Sequence, residues 1–196
     1  MFFLHRPAPN EIERFLAASG DLPLSYSPVG LADSAPPGFT VDEHIAVVGS
    51  GAAAFARARE ALREWRHFDL GWVELFPKGA SIAPGSVVAV AVRHLGFWSL
   101  NGCRVVYAIE GDARFGFAYG TLGNHAETGE EIFQVSLHPE TGEVRYLIRA
   151  ASKPRAAAAR LGYPFTRSLQ AWFRRDSARA MRRAVGGQAG EGEAQV

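Results

Sequence analysis

Within FGFAYGTLGNHAETGEEIF, residues 115–133, a histidine and two adjacent glutamates follow a run with aromatic residues at every second position. A histidine held by a carboxylate can act as a general base, because its reference pKa of about 6.5 lies near operating pH. His125 with Glu130 or Glu131 is therefore the candidate acid–base group. The two glutamates alternate along a strand, so only one of them can point inward. The spacing matches no metal or hydrolase motif, with no HExxH and no second histidine close by. The same residues also suit a plainer purpose, and this is the reading the spacing favours: a polar cluster that orients a ligand or anchors loop amides.

Other reactive types are weaker candidates. Cys103, the only cysteine, lies in the apolar stretch LNGCRVVY and reads as a small core residue. The serines have no GxSxG elbow around them. VGSGAAAF follows a strand and opens a helix, but it lacks the third glycine of a dinucleotide fingerprint and the lysine of a P-loop. It reads as a helix start with Ser50 as the cap.

These residues need elements to position them. PNEIERFLAASG predicts a short helix, with Asn10 as cap and Glu13 reaching back to it. A proline-rich loop follows, so residues 1–37 read as a helix plus an ordered loop. FTVDEHIAVVGSG reads as a strand. In the helix after it, Phe55, Ala58, Leu62 and Trp65 share one face. The period then changes to two, predicting strands near 71–76, 87–94, 101–110, 114–122, 130–138 and 143–151, joined by short polar turns as in an antiparallel meander. KPRAAAARLG and PFTRSLQAWFRRDSARAMRRAV predict two closing helical pieces. The second has an apolar face of Phe165, Leu169, Trp172, Phe173, Ala180, Met181 and Ala184. The last residues, 187–196, read as a disordered tail beyond a single domain of 1–186.

One curved sheet of about seven antiparallel strands with a long C-terminal helix to cover it gives an α+β fold of helix-grip type, with room for a cavity between the two. In the stretch 115–122 the small residues Gly116, Ala118 and Gly120 occupy the face opposite Phe115, Phe117 and Tyr119. Glycine inside a strand marks a bend or a close approach, and curvature of the sheet is the expectation. Tyr107, Phe117, Tyr119, Phe133 and Tyr146, with Trp172 from the helix, are then candidate ligand-binding residues alongside His125, Glu130 and Glu131.

Composition bounds the function classes. The chain has 196 residues, 47% hydrophobic and 21% charged, ordinary values for one globular domain. A single cysteine permits no internal disulfide, and MFFLHRPAPNEIERF has no long apolar run of a signal peptide. The expected location is the cytoplasm. Net charge is +1, yet nine lysines and arginines between Lys153 and Arg183 are opposed only by Asp176. Such a stripe is usually a solvated face; its rival is an anionic lipid surface, with nucleic acid disfavoured.

FGFAYGTLGNHAETGEEIF and SKPRAAAARLGYPFTRSLQAWF also resemble stretches of the bacterial and plant DUF1990 (UPF0548) proteins. VGSGAAAFARAREALREW, FDLGW and LNGCRVVY fit the same pattern, so the resemblance runs from about Gly38 to Val185. It implies domain limits rather than a reaction, since the family has no assigned activity. The function expected is the binding of a small hydrophobic or amphipathic ligand between sheet and helix, with no cofactor and no metal. The alternatives are an enzyme using His125 and one glutamate in the same cavity, or a surface binder using the arginines. The sequence leaves oligomeric state open.

Overall fold

The computed structural model describes residues 1–154 and 163–187. The expected helical piece at 155–162 and the tail from 188 lie outside these residues, as do Arg155, Arg160 and the side chain of Phe165.

Eight strands form one antiparallel sheet: β1 (Phe2–Phe3), β2 (Thr40–Ser50), β3 (Val73–Phe76), β4 (Val87–Arg93), β5 (Trp98–Gly111), β6 (Arg114–Thr121), β7 (Glu127–Leu137) and β8 (Glu143–Pro154). Seven run in the order β2-β8-β7-β6-β5-β4-β3, and the two-residue β1 pairs beside them on β5. The sheet curls into a half-barrel with, among the described residues, three helices around it: α1 (Pro9–Ser19), α2 (Gly51–Arg63) and α3 (Tyr163–Gly186). This is the expected helix-grip architecture. The strand β1 has no alternating pattern long enough to announce it.

The concave face holds the main core, built from alternate residues of the strands. Phe115, Phe117 and Tyr119 of β6, Phe133 and Val135 of β7, and Val144, Tyr146 and Ile148 of β8 all point inward. α2 presents Ala54, Phe55, Ala58, Ala61 and Leu62 to them, following the helical spacing. Ser50 occupies its N-cap position, but the hydroxyl turns to the Gly142 carbonyl instead of capping α2. α2 ends where Trp65 takes a left-handed conformation, φ 58°, which reverses the chain into a short 3-10 turn at Arg66–Phe68. A side chain is strained there. Burial of the indole holds it in place: the ring centroid lies 4.6 Å from that of Phe117, and Nε1 donates to the Ala80 carbonyl at 2.8 Å. The reversal delivers His67 and Phe68 into the interior.

The convex face is covered by the N-terminal segment. α1 packs Ile12 and Phe15 on Ala89, Ala91 and Leu100 of β4 and β5. Its cap differs from the expectation: Ala8, two residues before Asn10, is the N-cap, and Glu11 rather than Glu13 reaches back, accepting from the Ala8 amide at 2.7 Å. Pro9 in the first turn lacks the N–H that a helix start leaves unpaired. The following loop crosses the back of β6 and β7, where Ala32 packs with Ala118 and Ile132.

α3 is gripped unevenly. From Ser177 onward its inward residues Ser177, Ala178, Met181 and Val185 are buried, whereas Leu169 and Phe173 are only half-buried. The space beneath that second stretch is the cavity.

Candidate functional site

A cavity of about 380 Å³ lies between the concave face and the first half of α3. Its apolar walls come from Phe68 after the 3-10 turn, Trp72, Val90 and Val92 of β4, and Leu169 and Phe173 of α3. Phe68 and Phe173 meet with ring centroids 5.2 Å apart. Trp72 is fixed by its Nε1 donating to Asp176 Oδ2 at 3.3 Å, which ties the wall to the helix.

The polar groups gather on one side. Tyr119 on β6 pairs with Glu131 on β7, which puts both side chains on the concave face. The tyrosine hydroxyl donates to Glu131 Oε2 at 2.9 Å. Burial pushes the Glu131 carboxyl up to about 7, opposed by this hydrogen bond and by the charge of Arg174. The residue nevertheless keeps an accessible edge, and that edge faces the cavity. Glu127 is likewise raised by burial, and both its oxygens accept from the Gln170 amide at 3.0 and 3.1 Å. Asp42 of β2 is held low by hydrogen bonding to Arg167 Nη1 and Nη2, with Arg174 also 3.6 Å away.

The nine candidates from the sequence divide into four groups. Tyr119, His125 and Glu131 line the cavity. His125 Nδ1 accepts from the Glu127 amide at 2.9 Å, a contact that shapes the turn between β6 and β7. Phe117, Phe133 and Tyr146 are fully buried core instead. The Tyr146 hydroxyl is satisfied by Ser177 at 2.9 Å, and the two phenylalanines pack against His67.

Tyr107 and Glu130 belong to the outer face. A β-bulge between Val105 and Tyr107 breaks the alternation of β5, so Tyr107 pairs with the outward Ala118. Glu130 touches the cavity wall, but its carboxylate turns outward. There it accepts from Tyr26 Oη at 2.7 Å, the Gly30 amide at 2.9 Å and Tyr107 Oη at 3.1 Å. It is the anchor of the N-terminal loop. The small residues beside it have separate reasons: a Cβ on Gly120 would strike the Tyr26 hydroxyl, and one on Gly116 would strike the Phe133 carbonyl of the neighbouring strand. Gly120 thus admits the loop, and Gly116 permits the close crossing of curved strands.

Trp172 does not close the cavity. It is 47% exposed, and Phe173 fills the expected place. The inward arc of α3 is rotated by roughly a quarter turn from the hydrophobic stripe, at 100° per residue. Polar residues occupy that arc: Gln170 serves Glu127, Arg174 faces Asp42 and Ser177 meets Tyr146. No apolar count would find them. Arg182 and Arg183 stay exposed and donate to the carbonyls of Val47 and Asp69, while Arg175 pairs with Asp176.

Among the described residues no group of three or more His, Cys, Asp or Glu is placed to hold a metal ion, and no helix is long and apolar enough to cross a membrane.

A family model described as "Domain of unknown function (DUF1990)" matches residues 25–180. The chain belongs to the DUF1990 family. A UPF0548 protein of Dictyostelium discoideum is 34% identical over 208 residues, covering 95% of this chain and 96% of its own. One from Deinococcus radiodurans is 33% identical over 200 residues, covering 95% and 100%. An Arabidopsis thaliana relative is 33% identical over 154 residues, covering 76% and 74%. This DUF1990 domain therefore has relatives in an amoeba and a plant as well as a bacterium. Among solved structures, TTHA0849 from Thermus thermophilus superposes with TM-score 0.52 at 11% identity, covering 76% of this chain and 99% of that one. A norcoclaurine synthase point mutant from Thalictrum flavum gives 0.51 at 11% identity, covering 76% and 96%. These likenesses concern the fold.

Proposed function

We propose that this DUF1990 domain binds a small apolar or amphipathic molecule in the cavity between its curved sheet and α3. The observation that carries the reading is the cavity itself: about 380 Å³, walled by Phe68, Trp72, Val90, Val92 and Phe173, with polar groups converging on one side. Ligand pockets are typically about 300–1,000 Å³, mostly apolar, with a few placed polar groups. A norcoclaurine synthase of the same fold has been solved in complex with a transition state analogue, so at least one protein of this architecture takes up a small molecule.

The test is titration with a neutral environment-sensitive dye, Nile red, against wild type and Ala150→Leu. Ala150 lines the cavity, so a larger side chain there reduces the space. Saturable one-to-one binding that is lost in the filled variant supports the reading; binding unchanged by the filling overturns it. Native mass spectrometry of protein from its own host would then identify the occupant.

One observation favours a second reading, an enzyme. Glu131 titrates near 7 and bonds Tyr119 inside the cavity, which suits a general acid or base. His125 lines the same space. Retained turnover in both Glu131→Gln and His125→Ala, with any substrate found, would dismiss this reading.

A further inference from the structure

We infer that the molecule taken up is an amphipathic cation, an amine whose ammonium group lies against Glu131 and whose apolar body fills the aromatic part of the cavity. The inference rests on the ligand-binding reading above and names the head group that reading leaves open.

The charges at the cavity are unevenly matched. Asp42 has two cations, Arg167 at 2.6 Å and Arg174 at 3.6 Å. Glu131 and Glu127 have neutral donors instead, the Tyr119 hydroxyl and the Gln170 amide; among the described residues neither forms a salt bridge. Each carboxylate can accept further hydrogen bonds beyond these. Phe68, Trp72, Tyr119 and Phe173 line the same cavity. Carboxylate and aromatic faces together are the chemistry that recognises an ammonium ion in a desolvated site. A carboxylate head group would meet three carboxyl groups, with the nearest guanidinium already at Asp42. A neutral head group would gain a hydrogen bond but no ion pair.

Burial favours the protonated form of Glu131. Without a cation, ionising Glu131 is costly, and its carboxyl is raised accordingly. An arriving ammonium reverses that balance and a proton leaves. The titratable or charged groups facing Glu131 are Tyr119, Cys103, Tyr146, Asp42, Glu127 and Arg174. Burial raises the two tyrosines and the thiol above their ordinary values, so they stay protonated at neutral pH.

Three probes with one chain decide it: decylamine, decanol and decanoate, titrated calorimetrically at pH 8 into wild type and Glu131→Gln. Decylamine is expected to bind at least about tenfold more tightly than either analogue, a difference of about 1.4 kcal/mol. Glu131→Gln should remove that preference by weakening decylamine far more than decanol. At pH 6.5, amine binding measured in buffers of different ionisation heat should release a substantial fraction of a proton from wild type and less from the variant. Decanoate binding as well as decylamine, or an amine preference that survives Glu131→Gln, overturns the inference and leaves the cavity reading standing. Failure of all three, together with the dye, removes both.

Discussion

Glu130 and Glu131, adjacent in β7, direct their carboxyl groups to opposite faces of the sheet: one accepts from Tyr26 at 2.7 Å on the outside, the other from Tyr119 at 2.9 Å on the inside. Strand alternation alone produces this division. The outer carboxylate holds the N-terminal loop against the back of β6 and β7, and the inner one supplies the polar point of the cavity. Substitutions at the two positions should therefore fail in different ways.

Glu130→Ala should destabilise the domain by about 2–4 kcal/mol, because it leaves a half-buried tyrosine hydroxyl and loop amides without their acceptor. Limited proteolysis should cut first in the loop 20–38, and Tyr26→Phe should show a milder version of the same effect. Urea denaturation reads the loss. A change below about 0.5 kcal/mol would mean the loop is held by other contacts.

Glu131→Gln should do the reverse to stability. The folded carboxyl titrates near 7 and an unfolded one near 4.5, so the contribution of this group to wild-type stability falls as pH rises between those values. Above pH 7 the variant should be more stable by about 1–3 kcal/mol, allowing for the accessible edge of the group. At pH 4 the two should be equal. Parallel pH profiles would refute a raised carboxyl.

His67 opposes that trend. It is fully buried among Trp65, Phe68, Phe117 and Phe133, neither ring nitrogen has a hydrogen-bond partner among the described residues, and burial lowers its pKa to about 3. The unfolded imidazole takes up a proton below about 6.5 and the folded one does not, so stability falls with falling pH from there toward 3. Between about pH 4.5 and 6.5 the two slopes cancel, each near 1.4 kcal/mol per pH unit at most. In wild type the contributions of these two groups should offset each other in this window. His67→Phe should lose stability with rising pH, and Glu131→Gln should gain it. Matching slopes in the two variants would show that neither group controls the profile.

Trp172→Ala should change stability by less than about 1 kcal/mol and leave dye binding intact, as for other exposed sites. Phe173→Ala should weaken dye binding clearly while the protein stays folded. Equal effects from the two would contradict the observed rotation of α3.

The sequence revealed most of the fold because its turns are polar, its strands alternate and α2 has a clean apolar face. The site was legible only where alternation held without interruption. Tyr119 could be placed beside Phe115 and Phe117 from its spacing, and one of Glu130 and Glu131 had to face inward, but the extra residue at Val105–Tyr107 sent Tyr107 to the other face, and no residue type there announces a bulge. Trp172 misled because a large apolar side chain dominates any count of a helical stripe. The inward arc is set instead by partners distant in sequence, such as Gln170 with Glu127 and Ser177 with Tyr146. Phe68 was hidden by the left-handed turn at Trp65, which ends the helical spacing just before it.

The uneven grip on α3 turns one helix into its own internal reference. Ser177, Ala178, Met181 and Val185 are locked into the core, while Leu169 and Phe173 border open space. Amide hydrogen exchange should accordingly be slowest across residues 177–185 and faster across 167–174, because protection follows buried apolar contact. An occupant would add contacts to the second stretch alone. Exchange would then slow in one half of the helix and stay fixed in the other, so uptake of a molecule could be read from a ratio within a single element.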